Sequence, residues 1–568
     1  MSVCYLKLRA NIEMDGDITL AEREVNALFD NICVVDRQNI KKAQKRLRLS
    51  ERFLTSHTRQ KEIVGFLGMN PKVCVTEIIK QLSFVQEVWL EESQATEIAK
   101  DVFASSADDF VCAVPFLAMS EFLTYANEER INTDFIKEIL RVLTLEAENP
   151  KISRLITRAN TSAPHVHGLH AYKAKFFPRF VRSLIVSETS PENQSEQIVL
   201  DPFVGSGTAA IEAALLGFRA VGIDIDKLSL ISESKVNLLE NSFDSLQKSA
   251  IQIYENGTKK NGEYVLPIWM SRKFERHNIL DEKRQYERQI TVWTEKVNNL
   301  DANKSLFQIA LSDALTRKFN VRMMGTGVGR FALEIQKTDI DKLVEKNIKF
   351  ILKCSQIVEL LKCVYQTKMQ TPTFINGTAT KIDLPNESAD FIITSPPYLP
   401  ASIGRENYLI GKSISLTALN LMSETEIGLA EKQSVGSMKN QNGNSGGLPR
   451  AVYELHNWLF KDELRTIKAQ PTLAYYQDLK KSLQESHRVL KHNGKAVFII
   501  GKETVFYSYK TREVLYRVLC DEIFKEIAQK VGFEISEMID IELDKKNKNA
   551  RPRSLDKFFE TAIILRKD

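Results

Sequence analysis

The segment with the clearest chemical meaning is Thr-Ser-Pro-Pro-Tyr at residues 394–398, at the end of an apolar strand predicted at 390–394. Its two prolines fix φ and carry no N–H group, so the segment ends the strand and presents hydrogen-bond acceptors. The Ser395 hydroxyl and the Pro396 carbonyl could accept hydrogen bonds from an amino group while Tyr398 stacks on a planar ring. The pattern favours chemistry on the exocyclic amine of a base. The alternative is a plain strand-ending turn.

A second segment, Asp-Pro-Phe-Val-Gly-Ser-Gly-Thr at residues 201–208, lies between a predicted strand at 197–200 and a predicted helix at 208–216. Gly205 and Gly207 allow a tight turn and close approach of a ligand to the backbone. Asp224 ends the next predicted strand, where an acid can accept hydrogen bonds from both hydroxyls of a ribose. The phosphate-loop and dinucleotide patterns are absent from this turn. The spacing therefore favours an adenosine-containing cofactor without a pyrophosphate, with a turn that only packs helix on strand as the alternative.

The elements around these segments predict the fold class. Strand, glycine turn, helix and strand at 197–224 form a βαβ unit, which predicts a parallel sheet covered by helices. Further strands are predicted at 390–394, 495–501, 533–543 and 560–566, and further helices at 472–490 and 511–531. The sequence therefore predicts an α/β fold.

Two stretches interrupt this alternation, at about 240–370 and about 400–470, and we interpret them as insertions. Residues 1–155 are predicted to form an α+β or mainly helical accessory domain. It has a strand at 4–10 and helices at 20–29, 75–82 and 134–145. Residues 156–568 form the second predicted domain.

The composition is that of a globular protein and limits the classes of function. The 568 residues carry 78 basic and 73 acidic side chains, a net charge of +5, which is too small for a protein that coats nucleic acid without specificity. The seven cysteines form no CxxC pair, which disfavours a zinc knuckle or a disulfide framework and favours the cytoplasm. No signal peptide or membrane span is predicted.

No metal is expected either. His165, His167 and His170 cluster in the sequence, but no carboxylate or cysteine follows at the spacing of a metal site. We therefore interpret the three histidines as loop or cofactor-lid residues.

The combination of DPFVGSGT, GIDID and TSPPY resembles the S-adenosylmethionine-dependent amino-methyltransferases of DNA. Residues 167–178 resemble the family's segment that closes over the methionine end of the cofactor, and 376–378 resemble its turn beside the adenine. The family more often has an acid where Thr378 stands. The resemblance covers about 165–568 and also includes 488–494 and 558–567.

The resemblance implies a Rossmann-like class I methyltransferase with a mostly parallel seven-stranded sheet and S-adenosylmethionine as cofactor. It implies catalytic roles for Ser395, Pro396, Pro397 and Tyr398. It implies contacts to the cofactor from Tyr172, Lys175, Phe176, Asp201, Phe203, Gly205, Ser206, Gly207, Thr208, Asp224 and Thr378.

In that family, a Ser before Pro-Pro-Tyr usually accompanies methylation of cytosine N4, and Asp or Asn accompanies adenine N6, so Ser395 favours cytosine. The chain has no Pro-Cys dipeptide to supply the thiolate needed for methylation at carbon 5. The expected substrate is double-stranded DNA, with the target base flipped onto Tyr398 and its amine methylated directly. A restriction–modification system with a cognate endonuclease is the expected setting.

Contacts to DNA are expected from the two insertions and from basic residues near the C-terminus. The candidates are the run at 317–330, the residues Arg405, Lys412, Lys439 and Arg450, and the run at 545–553. Any single basic run is more often a solvated surface than a contact.

Other functions stay open at this point. A THUMP-like tRNA guanosine-N2 methyltransferase shares the order of the motifs, and residues 81–88 faintly resemble its RNA-binding front end, but such enzymes generally carry Asp before Pro-Pro. Methylation of adenine N6 in DNA is a closer alternative. A non-catalytic nucleic-acid-binding relative is disfavoured by the intact Asp224 and TSPPY segment. No nuclease pattern of the PD…(D/E)xK type is found in the first 160 residues.

Overall fold

The structure is a computed structural model. It describes residues 3–12, 14–58, 62–92, 103–105, 110–126, 131–159, 163–172, 176–190, 193–227, 230–257, 263–323, 331–399, 408–440, 443, 446–508, 510–511, 513–542 and 559–568.

The N-terminal part of the chain is built on an antiparallel sheet of six strands in the order β2-β3-β1-β4-β6-β5. Its elements are β1 (Val3–Leu8), α1 (Asp15–Leu28), β2 (Phe29–Asp36), α2 (Ile40–Leu47), α3 (Glu51–Thr55), β3 (Ile63–Pro71), α4 (Val75–Gln81), β4 (Val85–Glu91), β5 (Phe103–Ser105), β6 (Phe110–Ala113), α5 (Phe116–Tyr125), α6 (Thr133–Leu143) and α7 (Pro150–Arg158). The sequence predicted only the first strand of this sheet and three of these helices. The apolar core of the N-terminal part continues into the next part of the chain. A separate accessory domain at 1–155 therefore stays a prediction.

The next elements form the predicted βαβ unit and the first insertion. They are α8 (Pro178–Glu188), β7 (Ile198–Asp201), α9 (Thr208–Leu215), β8 (Arg219–Asp224), α10 (Leu230–Glu240), α11 (Phe243–Glu255), α12 (Ile268–Arg276), α13 (Leu280–Asn298), α14 (Lys304–Lys318), β9 (Phe319–Met323), β10 (Phe331–Ile335) and α15 (Ile340–Tyr365). The insertion is helical apart from the antiparallel pair β9 and β10. The Tyr365 hydroxyl of α15 donates to the Val114 carbonyl at 2.7 Å, which ties the insertion to the N-terminal part.

The remaining elements complete the sheet and contain the second insertion. They are β11 (Thr373–Asn376), β12 (Ala389–Thr394), α16 (Tyr408–Ala418), α17 (Glu424–Gln433), α18 (Arg450–Lys461), α19 (Ala469–Val489), β13 (Leu490–Gly501), β14 (Glu503–Tyr507), β15 (Val514–Leu519), α20 (Cys520–Val531), β16 (Phe533–Glu542) and β17 (Phe559–Lys567). The described part of the chain also includes short 3₁₀ helices at His165–Gly168, Gln194–Glu196 and Thr466–Lys468.

The prediction of a helix from 511 was wrong in its first part. Residues Val514–Leu519 form β15, which pairs with β14 in an antiparallel hairpin, and the helix α20 begins only at Cys520. The pairing with a strand on the other side of a turn overrides a local pattern that is short enough to fit either state.

The central sheet has seven strands in the order β11-β8-β7-β12-β13-β17-β16. The first five run parallel, and β17 lies antiparallel between β13 and β16. Alternate residues of β12 face opposite sides, with Phe391 and Ile393 in one apolar cluster and Ile392 in the other. The predicted fold class, a Rossmann-like and mostly parallel seven-stranded sheet with helical insertions, is confirmed.

The strand order identifies where a ligand can bind. The chain starts at β7, winds outward through β8 and later continues from β12 on the other side, so β7 and β12 flank a topological switch point. Parallel sheets bind ligands in the crevice outside the carboxyl ends of the strands at such a point. Residues 201–208 and 394–398 both begin there. None of the described helices is long and apolar enough to cross a lipid bilayer.

A buried ion pair connects the N-terminal part to the central sheet. Arg182 of α8 donates from Nε to Glu212 of α9 at 2.6 Å, and its guanidinium also donates to the Lys80 carbonyl in the last turn of α4. Glu212 is fully buried, and burial alone would raise its pKa. Arg182 and His167 outweigh burial and lower the pKa of Glu212 to about 2.

We predict that Arg182→Met lowers the free energy of unfolding by about 3–5 kcal/mol, because it leaves a buried charge on Glu212 without its main partner. Denaturant unfolding at pH 7 measures this. The matched control is Arg450→Met, which removes an exposed pair with Glu454 and should change the free energy by about 0–1 kcal/mol. Equal effects of the two substitutions would contradict the structural role of Arg182.

Candidate functional site

The glycine turn at 201–208 has the geometry that only glycine accommodates well. Gly205 and Gly207 have φ of +50° and +78°, and a Cβ on Gly207 would lie 2.6 Å from Ser232 Oγ. The backbone therefore stays bare where β7 passes into α9. The Thr208 hydroxyl at the start of α9 is buried and has no hydrogen-bond partner among the described residues. A bare turn and an unused donor fit a ligand that lies against the backbone.

Asp201 joins this turn to the other predicted chemical segment. Its buried Oδ1 accepts hydrogen bonds from the Phe203 N–H at 3.1 Å and from the Thr394 hydroxyl at 2.6 Å. Burial raises the pKa of Asp201 to about 7, although these two hydrogen bonds act in the opposite direction. Asp201 thus connects the end of β7 to the end of β12. Its contact with a cofactor stays a prediction.

Asp224 lies at the end of β8 with its carboxylate turned toward the glycine turn. Oδ2 accepts the Gly205 N–H at 2.8 Å and Oδ1 accepts the Asp226 N–H at 2.9 Å. Burial, and next the neighbouring Asp226 carboxylate, raise the pKa of Asp224. Each carboxylate oxygen can accept a further hydrogen bond, so Asp224 can still bind a ribose.

Thr378 lies beside Asp224, at the end of the neighbouring strand. β11 pairs with β8 so that Asn376 is opposite Asp224, and the Gly377 N–H donates to the Asp224 carbonyl at 2.9 Å. The Thr378 and Thr380 hydroxyls lie 3.0 Å apart. The predicted ribose and adenine positions are therefore adjacent.

The segment at 167–178 that is predicted to close over the cofactor is called the lid segment below. Its Tyr172 lies against the glycine turn. A Cβ on Gly205 would lie 3.3 Å from the Tyr172 hydroxyl. Phe176 is half-buried and packs on the main apolar cluster, as Tyr172 does, while Lys175 lies outside the described residues.

The first insertion holds the lid segment in place. Asp313 of α14 accepts the Ala171 N–H at 2.5 Å, and Ser312 Oγ is 3.0 Å from His170 Nε2. The insertion therefore positions a predicted cofactor-binding segment in addition to any contact with DNA.

The TSPPY loop is fixed by neighbours on three elements. The Tyr475 hydroxyl of α19 donates to the Pro397 carbonyl at 3.1 Å, and the Tyr398 hydroxyl donates to Glu560 of β17 at 2.7 Å. The Tyr398 ring lies alongside Gly501, where a Cβ would be 3.6 Å from it. Pro396 is buried and Ser395 is half-buried. These contacts fix the orientation of an aromatic ring at the carboxyl end of β12.

Several functional neighbours were not found from the sequence. Glu560 and Tyr475 lie 162 and 78 residues from their partners in the loop, and no local pattern links them. Asp226 could have been noticed, because it follows Asp224 by two residues in GIDID. Lys412 contacts Tyr172, which precedes it by 240 residues, and no local sequence pattern could have predicted this contact.

The structure changes the interpretation of the basic residues. The buried Lys318 ammonium donates to the Gln336 and Thr338 carbonyls, and Lys412 pairs with Asp226, so these two lysines point inward and not toward DNA. Three other candidates pair with acids near them: Arg317 with Asp313, Lys439 with Glu431, and Arg450 with Glu454. The candidates at 324–330, Arg405 and the run at 545–553 lie outside the described residues.

The clustered histidines have a carboxylate neighbour in space, which their local sequence spacing did not indicate. His167 Nε2 is 2.7 Å from Glu212 Oε1, because α9 passes behind the lid segment. Burial lowers the pKa of His165 well below its usual value. His165, His167 and Glu212 place one potential ligand atom each within 4.8 Å of one another, yet Arg182 already occupies the other oxygen of Glu212. The absence of a metal stays a prediction.

Comparison with known proteins tests the family resemblance. The family model described as a DNA methylase (N6_N4_Mtase) matches residues 32–235, which include the glycine turn and Asp224 and end before the TSPPY segment. The type II methyltransferase M.MvaI of Kocuria varians is 23% identical over 390 residues, 63% of this chain and 81% of that protein. M.BsoBI of Geobacillus stearothermophilus, also a type II methyltransferase, is 25% identical over 276 residues, 43% of this chain and 52% of that protein.

The resemblance to the DNA amino-methyltransferases is confirmed. The predicted cofactor, S-adenosylmethionine, is confirmed with it. A second family model, described as an RMKL-like methyltransferase domain, matches residues 187–312.

Solved structures add only weak likenesses. TrmN from Thermus thermophilus aligns over 100% of both chains with 10% identity and a TM-score of 0.28. A SAM-dependent methyltransferase from Methanosarcina mazei aligns over 66% of this chain and 93% of its own with 10% identity and a TM-score of 0.24. The fold is therefore established by the strand order of the sheet and not by these likenesses.

We predict that stability falls as the pH rises toward neutrality and that Asp201 causes part of this fall. Because the folded state holds the proton on Asp201 up to about pH 7, the stabilisation is complete below the unfolded pKa of about 4 and is lost as the pH rises through 7. Asp201→Asn keeps an oxygen acceptor for Thr394 and cannot titrate. Between pH 5 and pH 8 the wild type should lose about 2 kcal/mol more than the variant in denaturant unfolding.

The control for this experiment is Asp281→Asn, which alters a fully exposed carboxylate and should leave the pH dependence of the wild type unchanged. Parallel curves for the wild type and Asp201→Asn would contradict the assignment of a buried, protonated Asp201.

Proposed function

We propose that this chain transfers a methyl group from S-adenosylmethionine to the exocyclic N4 of cytosine in double-stranded DNA. The observation that carries the proposal is the junction of the two chemical segments. The Thr394 hydroxyl, one residue before Ser395, donates to Asp201 at the start of the glycine turn, so the proposed base-binding loop and cofactor turn begin next to each other. The type II methyltransferases related to the chain support DNA as substrate and a restriction–modification system with a cognate endonuclease as the setting.

The residues of the glycine turn fit the cofactor. The bare backbone at Gly205 and Gly207 lies under it, the Asp224 carboxylate accepts the ribose hydroxyls, and Thr378 lies at the adenine side. Asp201, Phe203, Ser206 and Thr208 complete the turn, and Tyr172 and Phe176 cover it. When bound, the cofactor supplies an electrophilic methyl group on a sulfonium sulfur.

The TSPPY loop holds the base and its amine. Tyr398 stacks on the flipped cytosine, and its hydrogen bond to Glu560 keeps the ring in one plane. The Ser395 hydroxyl and the Pro396 carbonyl accept the two N–H groups of the amine, which directs the nitrogen lone pair toward the methyl group. Transfer would form the N–C bond as the methyl–sulfur bond breaks, with S-adenosylhomocysteine as the leaving group and the surplus proton of the amine passing to solvent. Positioning and hydrogen bonding supply the catalysis.

The choice of cytosine N4 depends on Ser395. A loop with Ser in that place differs from the Asp or Asn that usually accompanies adenine N6, which is the nearest alternative.

The second candidate is a tRNA guanosine-N2 methyltransferase. The match of residues 187–312 to the RMKL-like methyltransferase domain supports this candidate. Ser395 disfavours it, because such enzymes generally have Asp in that place. The antiparallel sheet before residue 155 is the candidate for binding RNA in that case.

We expect labelled methyl groups from S-adenosylmethionine to enter DNA and not tRNA. Tyr398→Ala should lower methyl transfer by about 100-fold or more, because the stacking surface is lost, while affinity for S-adenosylhomocysteine changes by less than about two-fold. Tyr398→Phe keeps the ring, removes the hydroxyl that donates to Glu560, and should lower transfer by about 10-fold or less.

The control is Tyr125→Ala, an aromatic residue exposed in the N-terminal part, which should leave transfer unchanged. Unchanged turnover in Tyr398→Ala would remove Tyr398 from the proposed site, and labelling of tRNA alone would replace DNA as the substrate.

A further inference from the structure

A charge pair that the proposed chemistry does not use lies beside the glycine turn. Lys412, the fifth residue of α16 in the second insertion, extends its side chain away from solvent to the Asp226 carboxylate. The two side chains are 14% and 6% exposed. The Lys412 ammonium also lies 2.9 Å from the Tyr172 hydroxyl and 4.2 Å from the centre of its ring.

The surroundings keep Lys412 charged. Burial by itself would lower its pKa, but the Asp226 carboxylate outweighs burial, and the pKa of Lys412 is raised. The ammonium is thus a fixed positive charge at the position where the lid segment meets the second insertion.

The position of this pair relative to the glycine turn follows from Tyr172. The Tyr172 hydroxyl lies where it would touch a Cβ on Gly205, so Lys412, which contacts that hydroxyl, lies at the edge of the same crevice. Asp226 lies close to the same turn, because its N–H donates to Asp224 Oδ1 while the other oxygen of Asp224 accepts the Gly205 N–H.

A buried ion pair contributes little to stability by itself, because the cost of removing both charges from water offsets most of their attraction. A hydrophobic contact between α16 and Tyr172 could hold the insertion equally well. Unlike such a contact, the pair presents one positive and one negative group beside the glycine turn. Of the parts of the cofactor, the amino-acid end carries one carboxylate and one ammonium side by side, which is the complement of a Lys–Asp pair.

We propose that Lys412 and Asp226 bind the amino-acid end of S-adenosylmethionine, with the Lys412 ammonium on the carboxylate and the Asp226 carboxylate on the α-ammonium. The proposal rests on the proposed function, since it assumes the cofactor in this crevice. It assigns a contact with the cofactor to a residue of the second insertion, which the sequence analysis had associated with DNA alone.

Two ligands that differ only in the amino-acid end test this assignment. S-adenosylhomocysteine carries that end, and 5′-methylthioadenosine lacks it but keeps the adenosine and the sulfur. Titration calorimetry on the full chain without DNA gives both affinities. Lys412→Met should weaken S-adenosylhomocysteine by at least 10-fold and 5′-methylthioadenosine by less than two-fold. Lys412→Arg, which keeps the charge, should weaken S-adenosylhomocysteine less than Lys412→Met does.

The matched control is Lys439→Met. It removes another lysine of the second insertion from a buried carboxylate, Glu431, whose side chain is 2% exposed. Both ligands should bind this variant as they bind the wild type. If Lys412→Met does not fold, Asp226→Asn replaces it, with an expected loss of at least five-fold for S-adenosylhomocysteine and less than two-fold for 5′-methylthioadenosine.

Equal weakening of both ligands would assign Lys412 a purely structural role and overturn the proposal, as would unchanged affinity for S-adenosylhomocysteine. Both of these results leave the proposed function standing, since the wild type still binds the two adenosine ligands. A wild type that binds neither ligand would overturn the proposed function and this inference together.

Discussion

The hydrogen bond from the Thr394 hydroxyl to the buried Asp201 carboxylate is the contact on which the site depends. It joins the carboxyl ends of β7 and β12, the two strands that flank the switch point of the sheet. Because β7 and β12 are paired in the sheet and each carries one chemical segment at this end, the contact extends their pairing to the cofactor turn and the base-binding loop. This hydrogen bond is buried, and burial raises the pKa of Asp201.

The rest of the chain surrounds this junction. The first insertion holds the lid segment through Ser312 and Asp313, and the second insertion reaches the same segment through Lys412. The N-terminal part is joined to these elements through the Lys80 carbonyl, which accepts a hydrogen bond from the Arg182 that pairs with Glu212. Regions expected to act on DNA alone therefore also shape the crevice in which the cofactor is proposed to bind.

The local elements of the site could be predicted from the sequence, because strand, glycine turn and helix depend on residues close together in the chain. Residues 197–224 and the strand before Ser395 are examples. The sheet of the N-terminal part was mostly missed. Runs such as Ile63–Pro71 are short and apolar over most of their length, so the spacing of their apolar residues does not distinguish a strand from a buried helix.

Contacts between distant residues could not be predicted. His167 was assigned no acidic partner because Glu212 follows it by 45 residues on a helix with its own local pattern. Lys412 resembled a surface lysine near a flexible loop, and only the packing of α16 against the lid segment turns it inward. Charge runs in a sequence indicate composition, and the fold decides which charges face solvent.

The most direct test of the account is the identity of the methylated nucleoside. DNA incubated with the protein and labelled S-adenosylmethionine is digested to nucleosides, which are separated and identified by mass. The account predicts N4-methylcytosine. N6-methyladenine would keep the chemistry on an amine but contradict the inference from Ser395, and 5-methylcytosine would contradict the account as a whole.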